Sequence, residues 1–446
     1  MKKSMTLEIF NHLKQQAHKN RFDTPEVRIE KLNALRNWIQ VHDKEILKAL
    51  YSDFQKPYFE TDVSEVMIVL SELKYFITHL NSLMQDQVVA TPLTLAGHSS
   101  QIRYENKGVV LIISPWNYPF QLTLAPLIAA LAAGNTVVLK PSEFTPHTSA
   151  LLGKMIDAVF TKKEVILEIG AKEKTEELLS YDFNHVFFTG STAVGRIIAE
   201  KCASRLIPTT LELGGKSPMI IDKSANIIQA VEMLYWGKFL NAGQTCVAPD
   251  YVLVHQNIYQ DFKQKFKEHV EKLKNAPRAQ IISPRHQARL EKILGHTLNT
   301  VEIELIDIET TDHALMQEEL FGPFAPVIKF DSIEEITAIL QKNPDPLALY
   351  IFSNQQDRIE RILKENPSGG AAINTVLVHL GNHFLPFGGR GQSGWGKYHG
   401  QYGFYEFSHA RAIIKQNGFY FLSRFAHPPY TDKKQKLITW LKKITT

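Results

Sequence analysis

The chain has 446 residues, of which 44% are hydrophobic and 22% are charged, and its formal net charge is +4. These proportions are typical of globular proteins and exclude a disordered or fibrous chain. The length exceeds what one compact core accommodates and predicts two or three domains. Because the lysines are scattered except near the C-terminus, the charge gives no reason to expect nucleic acid as a partner.

The chain contains only two cysteines, Cys202 and Cys246, which is too few for a disulfide framework. An unpaired reactive thiol is better preserved in a reducing compartment, and residues 1–16 lack the continuous apolar core of a signal peptide. We therefore expect a cytoplasmic protein. Residues 108–139 carry no charge, but three prolines and a glycine within them favour strand, loop, buried helix and strand over a membrane span.

Apolar residues recur at helical spacing from Met5 to about Met84, which predicts a helical opening. Between Val88 and Lys107 this spacing is lost, and we expect an extended arm or hairpin outside the main sheet. Short apolar strands then alternate with helices. The predicted strands are 108–114, 135–140, 164–169, 185–190 and 208–213. This alternation predicts a parallel sheet with right-handed crossovers, which places ligands at the carboxyl ends of the strands.

A second α/β series follows Gly214 and Gly215, which form the only credible linker. This series has predicted strands at 217–221 and from Tyr251, predicted helices at 225–239 and 258–274, and a glycine-rich segment at 385–400. The sequence therefore predicts two α/β units.

The dinucleotide fingerprint GxGxxG is absent from this first alternating series, and the sequence GSTAVG at 190–195 takes its place between a predicted strand and a predicted helix. Free backbone N–H groups and the helix dipole at such a turn are suited to a pyrophosphate. Strand-to-helix turns often use glycine and serine for backbone geometry alone. The turn indicates a pyrophosphate site mainly because it lies within an alternating series of strands and helices.

Cys246 follows a run of small and polar residues in NAGQTC, which favours an approachable thiol over an inert core cysteine. A thiolate that adds to an aldehyde leaves an alkoxide that can expel hydride to a nicotinamide. Such a site also needs an oxyanion donor, a base that activates water, and a bound dinucleotide. The stretches SPWNYPF at 114–120 and LELGGKSP at 211–218 offer candidates for the first two.

The sequence resembles the aldehyde dehydrogenases, specifically the class 3 type, from about Met5 to Arg424. The motifs that carry the resemblance are PWNYP at 115–119, VVLKPSE at 137–143, FFTGST at 187–192, LELGGKSP at 211–218, NAGQTC at 241–246, EELFGP at 318–323, and LPFGG, YHG and FSH between 385 and 409. Their number and order make a chance match very improbable.

The resemblance implies that Cys246 is the nucleophile and Glu212 the general base. It also implies that Asn117 donates to the oxyanion together with the backbone N–H of Cys246. Read without the family, Glu212 is equally a surface charge at a strand end and Asn117 equally a turn former. Trp116 and Tyr118 are interpreted as apolar walls of the aldehyde tunnel.

The resemblance assigns six residues to the cofactor: Lys140 and Glu143 at the adenosine ribose, Gly190 and Ser191 beside the pyrophosphate, and Glu319 and Phe321 at the nicotinamide ribose. A glutamate can hydrogen-bond a free 2′-hydroxyl and would repel a 2′-phosphate. Glu143 therefore favours NAD as the cofactor. NADP is the alternative, because class 3 members resembling this chain can accept it.

The implied fold class is α/β and aldehyde dehydrogenase-like, with a Rossmann-type parallel-sheet cofactor domain, a second α/β catalytic domain and a small oligomerisation arm. The expected divisions are an NAD(P)-binding domain at 1–87 and 107–213, an arm at 88–106 and 408–420, a catalytic domain at 214–407 and a tail at 421–446. The resemblance also suggests a homodimer.

Several residues need separate interpretation. His379 and His383 have a spacing that suggests a metal site, but a glycine and an asparagine between them argue against a helix, and no glutamate follows the first histidine as a zincin requires. We therefore expect no metal. His399 is interpreted as structural and Cys202 as a packing residue.

Two features depart from the family pattern. The chain before EELFGP is short, and the apolar strand usual there is poorly matched, which makes Glu319 a less secure assignment than Cys246. Arg390 stands where the family usually has a small apolar residue. A charge there would alter the substrate mouth or a subunit contact.

The C-terminal tail predicts a basic amphipathic helix. Its apolar face comprises Leu437, Trp440, Leu441 and Ile444, surrounded by Lys433, Lys434, Lys436, Lys442 and Lys443. Such a helix lies either on an anionic membrane or on the protein's own surface, and the sequence does not choose between them.

The function predicted from these motifs is NAD(P)-dependent oxidation of an apolar aldehyde (medium-chain, long-chain, isoprenoid or aromatic) to its carboxylic acid. It would proceed through a thiohemiacetal and a thioester on Cys246, hydrolysed by water that Glu212 activates. One alternative is a CoA-acylating dehydrogenase, against which Glu212 counts because a thiol acceptor needs no water-activating base. Another is a cysteine esterase, or a membrane-docked binding protein with a vestigial nucleotide site.

Overall fold

The computed structural model describes residues 5–298, 302–418 and 427–445. The helices of these residues are α1 (Leu7–Lys19), α2 (Pro25–Val41), α3 (Asp43–Phe54), α4 (Tyr58–Thr61), α5 (Met67–Leu83), α6 (Gln121–Ala132), α7 (Pro146–Val159), α8 (Lys172–Leu178), α9 (Thr192–Ala203), α10 (Ile227–Phe239), α11 (Tyr259–Leu273), α12 (Pro284–Leu294), α13 (Ile333–Leu340), α14 (Gln356–Glu365), α15 (Gly400–Glu406) and α16 (Asp432–Thr445). A π-helical turn, Asp62–Val66, joins α4 to α5.

The strands are β1 (Gln87–Val89), β2 (His98–Asn106), β3 (Val109–Ile113), β4 (Thr136–Lys140), β5 (Val165–Leu167), β6 (His185–Gly190), β7 (Thr209–Leu213), β8 (Pro218–Ile221), β9 (Tyr251–His255), β10 (Glu304–Asp307), β11 (Phe324–Phe330), β12 (Ala348–Phe352), β13 (Gly370–Ile373), β14 (Gly394–Trp395) and β15 (Ser408–Gln416). They form two six-stranded sheets and one three-stranded sheet.

The first sheet has the order β14-β7-β6-β3-β4-β5. Strands β3 to β7 run parallel, and β14 joins β7 antiparallel. Every residue of β3 and β4 is buried, as is every residue of α6 after Gln121. This burial explains why the segment 108–139 carries no charge. The predicted succession of strand, loop, buried helix and strand is confirmed. No helix in the described ranges has both the length and the apolar character needed to cross a membrane.

Helices α1 to α5 confirm the predicted helical opening. Helix α1 packs on strands β3 and β4, whereas α2, α3 and α5 pack on the helices α6 and α7 of the first sheet. The fully buried residues include Leu32, Leu35 and Ile39 on α2 and Leu73 and Phe76 on α5. The helical spacing of these side chains arises because only one face of each helix meets the core.

The second sheet has the order β10-β11-β9-β8-β12-β13, and all its strands are parallel. The segment before EELFGP does form a strand, because Leu305 and Ile306 of β10 supply enough apolar surface for an edge position beside β11. The segment matches the family's apolar strand poorly in sequence, yet it forms a strand of the second sheet.

The third sheet, β1-β2-β15, is antiparallel and separate from the other two. Strand β2 pairs with β15 from Asn106↔Ser408 to His98↔Gln416, so the segment after Val88 is extended and lies outside the main sheets as expected. Strand β14, which the predicted division assigns to 214–407, pairs with β7 of the first sheet. The division into domains stays a prediction, and residues 419–426 of the predicted arm and tail lie outside the described residues.

Candidate active site

The candidate residues lie where loops at the carboxyl ends of strands of the first large sheet contact loops at the amino ends of strands of the second, a region termed the junction. Asn117 follows β3 and Glu212 lies near the end of β7, both toward the carboxyl edge of the first sheet. Cys246 precedes β9 and Glu319 precedes β11, so both lie at the amino edge of the second. Asn117 Nδ2 donates to the carbonyl oxygen of Gln244 at 3.1 Å, which joins the two edges directly. Residues far apart in sequence thus converge on one cleft.

The segment before Cys246 has an unusual backbone. Asn241, Ala242 and Gly243 all have positive φ, of 51°, 53° and 72°, and the left-handed region is costly for the first two. A Cβ on Gly243 would lie 2.2 Å from the carbonyl oxygen of Gly322. The sequence NAG is therefore needed to fold the cysteine loop against the EELFGP loop.

Burial raises the pKa of the Cys246 thiol well above its ordinary value, and the nearby carboxyl groups of Glu319 and Glu212 raise it further. The cysteine is half-buried. A neutral thiol in this setting needs a proton acceptor before it can attack a carbonyl.

Glu212 is 2% exposed, and neither of its carboxylate oxygens has a hydrogen-bond partner among the described residues. Burial raises the pKa of Glu212 well above its usual range, although the ammonium of Lys397 opposes the shift. Lys397 Nζ donates to the carbonyl oxygen of Gly388 at 2.9 Å. An unpartnered, desolvated carboxylate is a good proton acceptor once ionised.

The side-chain amide of Asn117 donates one N–H to the carbonyl oxygen of Gln244. The backbone oxygen of Asn117 accepts a 2.8 Å hydrogen bond from Nδ2 of Asn241. The two predicted tunnel residues beside it differ. Tyr118 is buried, and its hydroxyl lies 2.6 Å from Oγ1 of Thr245. Trp116 is half-buried, with its ring 5.4 Å from that of Phe321. Trp116 therefore contacts Phe321 of the EELFGP loop, whereas Tyr118 is buried and contacts Thr245 of the cysteine loop.

The predicted adenosine and pyrophosphate residues lie at the carboxyl edge of the first sheet. Lys140 ends β4, and its Nζ lies 3.2 Å from Oε2 of Glu143. Gly190 and Ser191 connect β6 to the amino end of α9. A Cβ on Gly195 would lie 2.6 Å from Cδ2 of Leu213, so this glycine lets α9 pack closely on β7. The edge offers the free helix terminus and the cation that a dinucleotide requires.

The predicted nicotinamide-ribose residues lie across the junction. Glu319 is held so close to the chain that a Cβ on Gly214 would lie 1.9 Å from its Oε2. Burial, and then the negative charge of Asp250, raise the pKa of Glu319 to about 8. Phe321 has a φ of 56°. Gly214 therefore allows close packing against the EELFGP loop, whereas a Cβ on Gly215 would lie 3.3 Å from the backbone nitrogen of Leu347.

Sequence reasoning missed two lysines at this junction. Lys238 of α10 is fully buried, its Nζ has no partner in the described ranges, and burial lowers its pKa to about 8. The other is Lys397, whose charge acts on Glu212. The signal for Lys238 is a single lysine inside the apolar run YWGKFL, whereas Lys397 stands in a glycine-rich loop that carries no such signal.

The histidines are grouped differently from the pair singled out in the sequence. Nδ1 of His383 lies 2.6 Å from Oε2 of Glu72, and Nδ1 of His399 lies 3.7 Å from the same oxygen. His379 lies apart from this group, and neither of its ring nitrogens has a partner in the part of the chain described. The expectation that no metal is bound stays a prediction.

Two further residues are placed clearly. Cys202 is 1% exposed, and burial raises the pKa of its thiol to about 11, which agrees with a packing role. The guanidinium Nε of Arg390 donates to Asp345 at 2.8 Å on the surface. The departure at Arg390 is therefore accommodated by a local ion pair.

The two α/β sheets thus bring together a half-buried thiol and a buried carboxylate that has no hydrogen-bond partner among the described residues. The family model described as aldehyde dehydrogenase family matches residues 8–305 and 295–413. The chain belongs to this family, whose members use NAD(P), and it is a class 3-like aldehyde dehydrogenase.

Similar proteins support this assignment over nearly the whole chain. The 4,4′-diaponeurosporen-aldehyde dehydrogenase of Staphylococcus aureus is 40% identical and covers 91% of this chain and 92% of its own. The mouse aldehyde dehydrogenase family 3 member A2 is 36% identical, with 93% and 89% covered. A structure described as the substrate-bound state of Staphylococcus aureus AldH has a TM-score of 0.93 at 36% identity, with 98% and 100% covered.

Proposed function

We propose that the chain oxidises an apolar aldehyde to its carboxylic acid, with Cys246 as nucleophile, Glu212 as general base and Asn117 as oxyanion donor. The observation that carries this proposal is the convergence of a half-buried thiol with a buried carboxylate that has no hydrogen-bond partner in the described structure. Trp116, Phe239 and Leu240 are half-buried apolar residues at the same core. An apolar substrate would cover them.

The cleft residues divide the chemistry between them. Cys246 loses its thiol proton to solvent and adds as a thiolate to the aldehyde carbon. The resulting oxyanion is held by the second N–H of the Asn117 amide and the backbone N–H of Cys246. The bound nicotinamide supplies a hydride acceptor. Glu212 then removes a proton from water, which attacks the thioester and releases the carboxylic acid from Cys246.

Lys140, Glu143, Gly190, Ser191, Glu319 and Phe321 are the residues we propose for the dinucleotide. The arrangement fits such a ligand, because α9 presents free N–H groups beside Gly190 and Ser191 and Lys140 supplies a positive charge at the same edge. Glu143 favours NAD, with NADP as the alternative.

The assembly, location and tail remain proposals as well. We infer a cytoplasmic homodimer in which the third sheet makes the subunit contact. Helix α16 exposes apolar side chains, with Trp440 57% and Leu437 41% exposed, and the side chains of Leu441 and Ile444 lie outside the description. Such exposure favours peripheral membrane contact over packing on the protein's own surface.

An absorbance assay with NAD and NADP against aldehydes of increasing chain length and aromatic character tests the reaction. We expect turnover that improves with apolar size and is abolished in Cys246→Ala. A product formed only with CoA would favour the acylating alternative. Ester cleavage without any NAD-dependent absorbance change would favour the esterase.

Vesicle flotation tests the tail. Full-length protein should float with anionic vesicles, and a chain ending at Tyr430 should not. Equal flotation of the two would remove the tail from the proposal.

A further inference from the structure

A cluster of three buried charged residues lies directly behind the active-site loops. Lys56, Glu60 and Glu65 are 0%, 6% and 0% exposed. Lys56 Nζ lies 2.7 Å from Oε1 of Glu65. Removing charges from water costs several kcal/mol per ion, so a buried cluster of this kind is retained only where its contacts compensate.

The two carboxylates hold the two loops that meet at the cleft. Oε2 of Glu65 accepts hydrogen bonds from the backbone N–H groups of Phe120 at 2.9 Å and Gln121 at 3.2 Å, at the end of the loop that carries Asn117. Oε1 of Glu60 accepts from the backbone N–H of Asn241 at 2.7 Å. Asn241 is the first of the three positive-φ residues before Cys246.

The lysine links the carboxylates to the same loops through an aromatic ring. Lys56 Nζ lies 4.5 Å from the ring centroid of Tyr118, and the Tyr118 hydroxyl lies 2.6 Å from Thr245 Oγ1, beside Cys246. One buried cluster therefore contacts both the loop that carries Asn117 and the loop that carries Cys246.

The local backbone explains how one segment supplies both carboxylates. Residues five apart in a regular α-helix point about 140° away from each other. Glu60 lies in α4 and Glu65 lies within the π-helical turn Asp62–Val66, whose wider i→i+5 turn reduces the angle between side chains on either side of it. Glu60 and Glu65 are five apart, and π-helical turns occur frequently at functional sites.

We propose that Lys56, Glu60 and Glu65 are positioning residues that hold the Asn117 and Cys246 loops in register across the junction. This rests on the proposed roles of Cys246 and Asn117. Glu60 restrains a strained segment, and Glu65 fixes the opposite loop. Because the strained segment has φ values that Asn241 and Ala242 adopt only under restraint, loss of the Glu60 acceptor would let Cys246 shift.

The test compares two substitutions at one position. Glu60→Gln keeps a side-chain oxygen that accepts the Asn241 N–H, whereas Glu60→Met has similar size and no acceptor. We expect Glu60→Met to lower kcat roughly tenfold to hundredfold, as small misplacements of reacting groups do, with the KM for NAD little changed. We expect Glu60→Gln to restore most of the activity. The rate of Cys246 alkylation by iodoacetamide should change in Glu60→Met and not in Glu60→Gln.

Asp222→Asn is the matched control. Asp222 is a fully buried carboxylate at the far end of β8, and its Oδ1 lies 2.8 Å from Nη2 of Arg358. Its loss should lower stability without changing kcat or alkylation in the folded protein. The proposal is overturned if Glu60→Met behaves like Asp222→Asn, with a lower melting temperature and normal kcat.

Glu65→Gln provides a second arm should Glu60→Met not fold. Gln retains one oxygen for Phe120 and Gln121 but places an amide against the ammonium of Lys56, so kcat should fall again with little change in KM. A normal kcat here would also contradict the proposal. Retained turnover in Cys246→Ala would instead refute the proposed function, which keeps the two failures distinguishable.

Discussion

Two buried carboxylates in this molecule have opposite surroundings. Glu72 is fully buried on α5, where Oε1 accepts the backbone N–H of Gly400 at 2.9 Å and Oε2 lies 2.6 Å from Nδ1 of His383. Glu212 is as deeply buried but has no hydrogen-bond partner for either oxygen among the described residues. Burial raises the pKa of both groups, but for Glu72 the histidine contacts outweigh burial and hold the pKa at about 2.

The difference separates stabilisation from reactivity. A carboxylate that accepts a backbone hydrogen bond and lies close to two histidines remains ionised and holds the surrounding segments together, here α5 and the loops at His383 and Gly400. A carboxylate that is buried without partners is unfavourable for folding. Such a group is retained where an incoming water or substrate supplies the missing hydrogen bonds. The contrast predicts that Glu212 is dispensable for stability and essential for turnover, and that Glu72 is the reverse.

The largest effect should follow Glu212→Gln. Acylation of Cys246 does not need Glu212 in the proposed mechanism, so one burst of NADH should form and the steady-state rate should then fall by roughly a hundredfold to ten-thousandfold. Rapid-mixing absorbance measures both phases. Steady turnover at the rate of the unmodified protein would remove Glu212 from the role of base and end the contrast with Glu72.

Glu72→Gln should act on stability instead. The pKa of Glu72 is about 2 in the folded chain and near 4.5 in the unfolded one, which corresponds to roughly 3 kcal/mol. Since the folded-state pKa is lowered, this stabilisation is present above pH 4.5 and is lost as the pH falls toward 2.

Thermal melting measures the loss. The melting temperature of Glu72→Gln should be lower at neutral pH and should converge on that of the unmodified protein in acid. The burst and steady-state phases of the folded fraction should stay intact. A loss of the steady-state phase alone would show that Glu72 behaves like Glu212.

The sequence predicts the framework of the molecule because its signals are local. Alternating apolar strands and helices predict the parallel first sheet, and NAGQTC and LELGGKSP locate Cys246 and Glu212. The environment of each carboxylate is not local. Glu72 meets His383 and His399 only because α5 packs beside two distant loops, and Lys397 reaches the neighbourhood of Glu212 through the pairing of β14 with β7. The helical spacing of the apolar residues also predicts an ordinary α-helix through Asp62–Val66 and does not reveal the π-helical turn.

A smaller effect is expected from Lys397→Met. The ammonium of Lys397 lowers the pKa of Glu212 against the effect of burial, so its removal should raise that pKa further. Because Glu212 must be ionised to act as a base, the rise of steady-state kcat with pH should move to higher pH. The pH profile of Glu212→Gln is the control, since it should lack this rise. An unchanged profile in Lys397→Met would mean that the rise belongs to Cys246 or Glu319.

The smallest effect should follow Arg390→Ala. This substitution removes the partner of Asp345, a carboxylate that is more exposed to solvent than Glu72 and Glu212. Arg390 has a side chain 61% exposed, and its partner Asp345 is 26% exposed. Solvent screens such a pair, so its loss should change the free energy of unfolding by under about 0.5 kcal/mol, well below the effect at Glu72. The melting temperature measures this, with a KM for a long-chain aldehyde as the second readout. A raised KM with an unchanged melting temperature would assign Arg390 to the substrate mouth. The main role of Arg390 would then be contact with the substrate rather than the ion pair with Asp345.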